Sequence, residues 1–383
     1  MRLRLSEQDA AFRDEMRRFF TTQVPIDLRE PGVDGAEASK DRIVAAQRIL
    51  NAAGLAVPGW PVEWGGRDWT PLQRHIWLEE LRFANVPQPL SFNASMIGPV
   101  IAEFGSTELK KRFLPATANL DIWWSQGFSE PDAGSDLASL RTTARRDGDD
   151  YVVTGQKTWT TLGQYGDWIF TLVRTDPQAP KRQMGISRLL IDMTSPGVTV
   201  RPIELIDGSV EVNEVWFDEV RVPAANLVGQ EGQGWTYAKF LLGNERAGVA
   251  PVASIKRALA DAKGQAGGLL DDPLVSARIA ELENRLLALE LTALRVVAHS
   301  EEGKPHPASS VLKLDGTQLQ QEVTELIVDL AGPAALSRGA DGGALPTWAA
   351  HASARYLNMR KASIYGGSNE IQRTIIAGTI LGL

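Results

Sequence analysis

The spacing of apolar residues changes twice along the chain, and these changes constrain the fold more than any other feature. Up to about residue 120, apolar side chains recur at helical intervals, as in Ile76, Leu78 and Leu81. Short runs such as YVVTGQKTWTT, DWIFTLVR and RLLIDM then alternate with turn residues, which is typical of strands, before helical spacing returns. The sequence therefore predicts an α+β fold with three parts: an N-terminal α-helical domain at 1–120, a middle β-barrel or sandwich domain at 121–232, and a C-terminal helical domain at 233–383.

Charge and apolar content exclude several classes of protein. The chain has 40 Lys and Arg against 47 Asp and Glu, a net charge of −7, which argues against a nucleic-acid partner. No apolar run reaches the roughly 18 residues of an integral membrane segment. The Arg-rich N-terminus is interrupted by acids, and its apolar residues keep helical spacing, so we expect a folded helix and a cytoplasmic protein rather than a transit peptide. The absence of cysteine excludes disulfides and thiolate chemistry.

Common catalytic signatures are missing. No GxGxxG opens a βαβ unit, so a Rossmann nicotinamide site is not expected. No Walker A sequence and no GxSxG elbow occur. The four histidines are scattered without an HExxH, and we expect no metal site. If the chain is an enzyme, its chemistry comes from an organic cofactor bound in another way.

The most informative stretch is QGFSEPDAGSDLASLRTTARRDGDDYVVTGQKTWTT, residues 126–161. SEPDAGSD reads as a tight turn of small and hydroxyl side chains that can approach a phosphate or a ring edge closely. In the following strand, Trp159 is flanked by threonines, an arrangement suited to stacking on a flat ring and hydrogen bonding to its edge. Taken singly, each piece is typical of an ordinary loop or a strand surface.

In combination these segments resemble the acyl-CoA dehydrogenase family almost end to end. FSEPDAGSD, VTGQKTWTT and IYGGSNEIQR occur at the family's spacings, as do PVEWGGRDWT, FGSTELKKRFLP and WFDEVRVPAANLVGQEGQGW. The resemblance implies a C-terminal four-helix bundle, FAD as cofactor, an acyl-CoA thioester as substrate and an electron-transferring flavoprotein as partner.

The resemblance also implies the roles of individual residues. Flavin-ring contacts fall on Gln126, Phe128, Ser129, Trp159 and Thr161, and Ser135 falls on a serine that contacts both pyrophosphate and substrate. Ser368 and Glu370 fall on a turn at the diphosphate or adenosine end of the cofactor. Ser368 is in addition a natural N-cap for the last helix, and a capped helix start is also an anion site.

The expected base is displaced. Many members of the family carry a catalytic Glu where this chain has Gly366, whose backbone N–H remains suited to bind the thioester carbonyl. On a helix, Glu245 shares an apolar face with Leu241, Leu242, Gly248 and Val249. Periodicity alone favours a Glu that reaches an ion pair with an Arg of the bundle. The resemblance instead implies that Glu245 is the base. In the isovaleryl-CoA and long-chain branches of the family the base lies just before an Arg, as Glu245 lies before Arg246, which falls on the substrate side.

Two features of the family are missing. No Arg occurs between Arg257 and Arg278, where the resemblance implies one that reaches a neighbouring subunit's FAD diphosphate, and VDLAGPA replaces a Gln-x-x-Gly-Gly contact. The chain therefore forms either a homotetramer with other FAD contacts or an α2β2 heterotetramer with a related subunit. A flavin monooxygenase or oxidase, or a non-catalytic companion subunit, are the alternative functions. Small residues near the base (Gly243, Ala247 and Gly248) predict a roomy acyl pocket.

Overall fold

The computed structural model describes residues 5–29, 39–245, 252–299, 306–336 and 347–383. Within these ranges, no helix is both long and apolar enough to cross a membrane. The helices are α1 Glu7–Thr22, α2 Ile26–Arg29, α3 Lys40–Ala52, α4 Pro71–Phe83, α5 Gly98–Phe104, α6 Thr107–Ala118, α7 Gly234–Glu245, α8 Val252–Ala266, α9 Pro273–Ala298, α10 Ser309–Ala331, α11 Thr347–Ala350, α12 Ala352–Met359 and α13 Asn369–Ile376. The strands are β1 Trp124–Gly127, β2 Thr143–Asp147, β3 Asp150–Thr161, β4 Trp168–Arg174, β5 Ile186–Asp192, β6 Val198–Ile203 and β7 Val212–Pro223.

The strands form one mixed sheet with the order β1-β4-β2-β3-β7-β6, and β5 lies off this path and pairs with β4 in antiparallel orientation. Alternate residues of β4, β5 and β7, among them Ile169, Leu189 and Val215, pack into one apolar core. The predicted α+β class, with helices on both sides of a middle β-domain in the chain, is confirmed. Strands β1 and β2 are not evident from the sequence, because WSQG is short and TARRD is mostly polar.

The chain divides into two compact units. We call residues 1–46, 69–88 and 246–383 the helical unit, and residues 47–68 and 89–245 the sheet unit.

In the helical unit, polar caps fix where the helices begin. The Ser6 side chain accepts the Asp9 backbone N–H at the start of α1, and Thr70 with Gln73 forms a capping box on α4. A bidentate Arg17–Glu80 ion pair, with both distances 2.9 Å, joins α1 to α4. The larger core lies among α8, α9 and α10.

In the sheet unit, buried amides connect the helices to β1. Asn93 donates to the carbonyl oxygens of Thr117 and Ile122 and accepts the Trp124 backbone N–H at 3.1 Å. These bonds satisfy main-chain groups at the end of α6 and place the start of β1, from which the predicted flavin contacts extend.

Candidate functional site

The predicted ring contacts of the sheet unit lie on two adjacent segments. Gln126 is in β1, and Phe128 and Ser129 follow it directly. The Ser129 carbonyl oxygen accepts the Thr158 backbone N–H at 2.9 Å, so this segment is hydrogen-bonded to the end of β3 that carries Trp159 and Thr161. The structure therefore brings these five residues together.

Trp159 has an unusual conformation for a strand residue. The pairing of β3 with β7 shifts register between Lys157 and Thr160, and Trp159 has φ +59°, in the left-handed region. The irregularity leaves the indole 59% exposed although its neighbours Thr158 and Thr160 are buried. Left-handed backbone is costly for an aromatic residue and tends to occur at functional sites.

The SEPDAGSD stretch forms the predicted tight turn. Glu130 and Ala133 exchange two backbone hydrogen bonds of 3.0 Å each, so the Ala133 N–H is used inside the turn and is not free for a ligand. A Cβ added at Gly134 would meet nothing within 4 Å, and Ser135 beside it is exposed. The open part of the turn is therefore Gly134 and Ser135.

A buried ion pair that the sequence analysis missed holds this turn. The Lys157 ammonium donates to the Glu130 carboxylate at 2.8 Å and to the Phe128 carbonyl oxygen at 3.2 Å. The same carboxylate accepts the backbone N–H groups of Arg141 and Thr142. The signal available in the sequence was a Lys in a strand whose other residues are mostly apolar or carry hydroxyl groups.

Burial and pairing act in opposite directions on this pair. Burial lowers the pKa of Lys157 to about 8, against the opposing effect of Glu130. Burial alone would raise the pKa of Glu130, but the ammonium and the hydrogen bonds outweigh it and bring that pKa below its ordinary value. The carboxylate is therefore ionised at neutral pH.

The C-terminal turn belongs to the helical unit. Gly366 and Gly367 have φ of +64° and +87°, which glycine adopts without strain. Ser368 caps α13 by accepting the Ile371 N–H at 3.4 Å, as expected. Glu370 is exposed, and its own N–H and the Ser368 hydroxyl lower the pKa of its carboxyl. The start of α13 thus carries a hydroxyl cap and an ionised acid.

Three side chains hold the carbonyl groups of this C-terminal segment. The buried Lys313 ammonium donates to the Ala362 oxygen at 2.8 Å. The Gln321 amide donates to the oxygens of Met359 and Arg360, and the Gln372 amide donates to the Gly367 oxygen, each at 3.1 Å. The main chain leading to Gly366 is fixed from α10 and α13.

The predicted base stands at the end of α7. The last residue of the helix is Glu245, whose backbone is described and whose side chain lies outside the described part. Tyr237, Ala238 and Leu241 form a buried face earlier in the same helix. Arg246, Ala247 and Gly248, which the sequence analysis assigned to the substrate side and to a roomy pocket, lie outside the described residues.

The sheet unit fits a flat cofactor ring. An exposed indole beside the partly exposed Thr161 offers a stacking surface and an edge hydroxyl, and the main chain beneath is held by buried hydrogen bonds. Among the described residues no group of three or more His, Asp and Glu could hold a metal ion. This donor set suits an organic ring.

Comparison with known proteins identifies the class. Residues 6–121, 125–220 and 232–381 match the N-terminal, middle and C-terminal domains of acyl-CoA dehydrogenase. The chain belongs to the acyl-CoA dehydrogenase family. It is an FAD-dependent oxidoreductase that dehydrogenates acyl-CoA thioesters, as the resemblance in sequence predicted.

Several relatives span the whole chain. Acyl-CoA dehydrogenase IpdE1 of Mycolicibacterium smegmatis is 37% identical over 97% of both chains. The solved ChsE4-ChsE5 complex from Mycobacterium tuberculosis contains a chain 33% identical, with a TM-score of 0.85 over 100% of this chain and 99% of that one. A structure described as Tcur3481-Tcur3483 steroid ACAD has a TM-score of 0.87 at 29% identity, over 100% and 99% of the two chains.

Proposed function

We propose that Glu245 is the base that removes the Cα proton of the acyl-CoA thioester. Bound FAD supplies the acceptor, N5, for the hydride that leaves Cβ. The observation that carries the proposal is the buried face of α7: Leu241 lies four residues before Glu245 and Tyr237 eight before it, so helical periodicity puts the Glu245 Cα on the same side. A carboxylate withdrawn from water gains proton affinity, which a base acting on a carbon acid needs.

The remaining site residues keep the roles that the family resemblance gives them. Gln126, Phe128, Ser129, Trp159 and Thr161 contact the flavin ring in this proposal. Their clustering along β1 and the end of β3, and the exposed indole, support it.

Ser135 contacts pyrophosphate and substrate in the same proposal, and its exposure on an open turn is consistent with that role. The N-cap Ser368 and Glu370 contact the diphosphate or adenosine end of FAD. Gly366 donates its N–H to the thioester carbonyl, and Arg246 lies on the substrate side. The ionised Glu370 disfavours a phosphate beside it, so we assign its contact to the adenosine.

Replacing Glu245 tests its role in dehydrogenation separately from FAD binding. Glu245→Gln keeps the size of the side chain and removes its basicity, so we expect bound FAD at the wild-type level and dehydrogenation slower by several orders of magnitude. Glu281→Gln, at an exposed position of α9, is the matched control. The measurement is flavin bleaching by acyl-CoA under nitrogen, which also distinguishes a dehydrogenase from a monooxygenase. Near-normal bleaching by Glu245→Gln rejects the assignment.

We further propose that the chain works in an α2β2 heterotetramer whose related subunit supplies the missing Arg. Residues Gly267–Asp271 form a short 3₁₀ turn, and the Asp272 side chain caps α9 by accepting the Leu274 N–H at 2.8 Å. An acid in this place repels a diphosphate. The two-component names of both solved relatives agree with the proposal.

The experiment for the assembly is expression alone and together with the product of an adjacent dehydrogenase-like reading frame. We expect FAD to be retained in full only in the co-purified complex. Full FAD occupancy of the chain expressed alone rejects the heterotetramer and leaves the homotetramer. Cytoplasmic location and transfer of electrons to an electron-transferring flavoprotein complete the proposal.

For the acyl group we propose a bulky, polycyclic chain. The support is the description of one solved relative as a steroid enzyme. An acyl-CoA panel with an artificial electron acceptor tests this, and a preference for butyryl-CoA over every bulky ester contradicts it.

A further inference from the structure

Arg188 in β5 is a buried charge for which the mechanism above has no use. The residue is 0% exposed, and its three guanidinium nitrogens have no hydrogen-bond partner among the described protein groups. Burial lowers the pKa of its guanidinium to about 9. An unpaired buried charge is costly, so its presence calls for an explanation other than stability.

The sheet pairing shows which way Arg188 projects. Its neighbours Ser187 and Leu189 lie on either side in β5, and Leu189 packs into the apolar core, so Arg188 projects from the opposite face. Across the sheet, Arg188 is opposite Leu172, two residues from Phe170, which is itself opposite Gln126 in β1. Arg188 and Gln126 therefore share a face of the sheet.

Aromatic side chains line this face around the guanidinium. The Arg188 Cζ lies 5.5 Å from the centroid of the Phe128 ring, and Phe128 meets Phe170 edge to face. Helix α7 begins close by: a Cβ on Gly234 would come within 2.6 Å of the Ser187 carbonyl carbon. Among the described residues, Tyr237 on α7 is the only ionisable group with a resolved influence on the pKa of Arg188.

The nearby Lys157–Glu130 pair does not neutralise this charge. That pair is internally balanced, and its ammonium reaches the Phe128 carbonyl oxygen. Arg188 reaches the Phe128 ring instead. Among the described residues, Arg188 therefore carries one net positive charge without a counter-ion, in contact with the ring of a residue of the proposed flavin site.

We infer that Arg188 is a positioning residue that sets the redox potential of the bound flavin through its field. This rests on the proposed function, because Phe128 is a flavin contact only there. A buried cation acts in a medium of low dielectric, where its field is weakly screened. It favours the reduced form of the cofactor, which carries more negative charge than the oxidised form.

The test uses the FAD-loaded protein or complex and measures the midpoint potential of the flavin by dye equilibration without acyl-CoA. Arg188→Met keeps the length of the side chain and removes the charge, and we expect the preference for the reduced form to fall at least tenfold, about 30 mV for two electrons. Arg188→Lys keeps the charge, and its potential stays near that of the wild type. Arg201→Met, at an exposed position of β6, is the control.

The same variants give a second readout. Because Arg188→Met removes an unpaired buried charge, we expect a higher unfolding midpoint together with the lower potential. A folded Arg188→Met with the wild-type potential overturns the inference, and so does a lower unfolding midpoint with no change in potential. If Arg188→Met does not fold, Arg188→Gln takes its place with the same criteria. The measurement needs neither substrate nor base, so it is independent of Glu245. A wild-type protein that binds no FAD even in the co-purified complex would instead reject the proposed function.

Discussion

The ammonium of Lys157 lies 2.8 Å from the carboxylate of Glu130, and both side chains are buried. One partner is in β3, two residues before the exposed Trp159, and the other begins the tight turn that leads to Ser135. This ion pair therefore links the end of β3 to the turn that leads to Ser135, the two segments that carry the proposed flavin site.

Breaking this pair destabilises the sheet unit. Lys157→Met leaves the Glu130 carboxylate buried without its counter-ion, and we expect a loss of about 3–5 kcal/mol in the free energy of unfolding. The double variant with Glu130→Leu removes both charges and should recover part of the loss, although Arg141 and Thr142 then lack their acceptor. Denaturant unfolding of the wild type, Lys157→Met and the double variant measures the loss in the free energy of unfolding and its recovery. Equal losses in the single and double variants would contradict the prediction.

Glu79 on α4 makes the stability of the helical unit depend on pH. Burial raises its pKa to about 7 from an ordinary 4.5, although Arg82 at 3.7 Å and the Ala253 N–H oppose the change. Between these pH values the folded chain binds more protons than the unfolded chain, so this residue's contribution to stability falls as pH rises.

Glu79→Gln removes this contribution. We expect the difference in free energy of unfolding between the variant and the wild type to rise in favour of the variant from about pH 4.5 to pH 7, on the order of 1–3 kcal/mol. Above about pH 7 this difference stays constant. The charges of Lys256 and Glu290 are part of the Glu79 shift and are lost with it, whereas the lowered pKa of the neighbouring His75 has causes that are present in both proteins. Denaturant unfolding across this range measures it, with Glu281→Gln as a surface control. A difference that does not change with pH would refute the prediction.

Gly366 and Gly367 provide a matched pair for backbone strain. A Cβ at Gly366 meets nothing within 4 Å, so Gly366→Ala costs only the left-handed conformation, about 1–2 kcal/mol. A Cβ at Gly367 comes within 2.6 Å of the Gln372 amide nitrogen, so Gly367→Ala also disturbs the hydrogen bond to the Gly367 oxygen. The thermal unfolding midpoint of Gly367→Ala should be lower than that of Gly366→Ala. The reverse order would contradict this prediction.

Trp159 is expected to serve the cofactor rather than the fold. Trp159→Gly relieves the left-handed strain and removes an exposed ring, so we expect the free energy of unfolding to change by less than about 1 kcal/mol. The affinity for FAD should fall about tenfold through lost stacking. Trp159→Phe, which retains a ring, should lose less. FAD titration of the apoprotein and thermal unfolding are the measurements; a large stability loss with unchanged FAD affinity would reverse the assignment.

The fold was largely predictable because strand and helix periodicities differ over long segments. The runs YVVTGQKTWTT, DWIFTLVR and RLLIDM coincide with β3, β4 and β5. Site residues on turns with strong local chemistry, such as the Ser368 cap, were also predictable. The base assignment at Glu245 remains a prediction that came from family resemblance rather than from periodicity.

What escaped prediction depends on contacts far apart in sequence. Glu130 and Lys157 are 27 residues apart, and nothing local marks them as partners. Arg188 lies in a strand that is mostly apolar, and periodicity alone would place its side chain in solvent or at an ion pair. Whether a buried charge is paired depends on the packing of helices onto the sheet, which the spacing of residues does not encode.

The three anchors of the C-terminal segment, Lys313, Gln321 and Gln372, bind oxygens that every amino acid carries. These hydrogen bonds therefore do not involve the side chain at position 366, where a residue other than glycine meets only the cost of the left-handed conformation. An exchange between glycine and an acid at this position consequently leaves the attachment of the last helix to α10 unchanged.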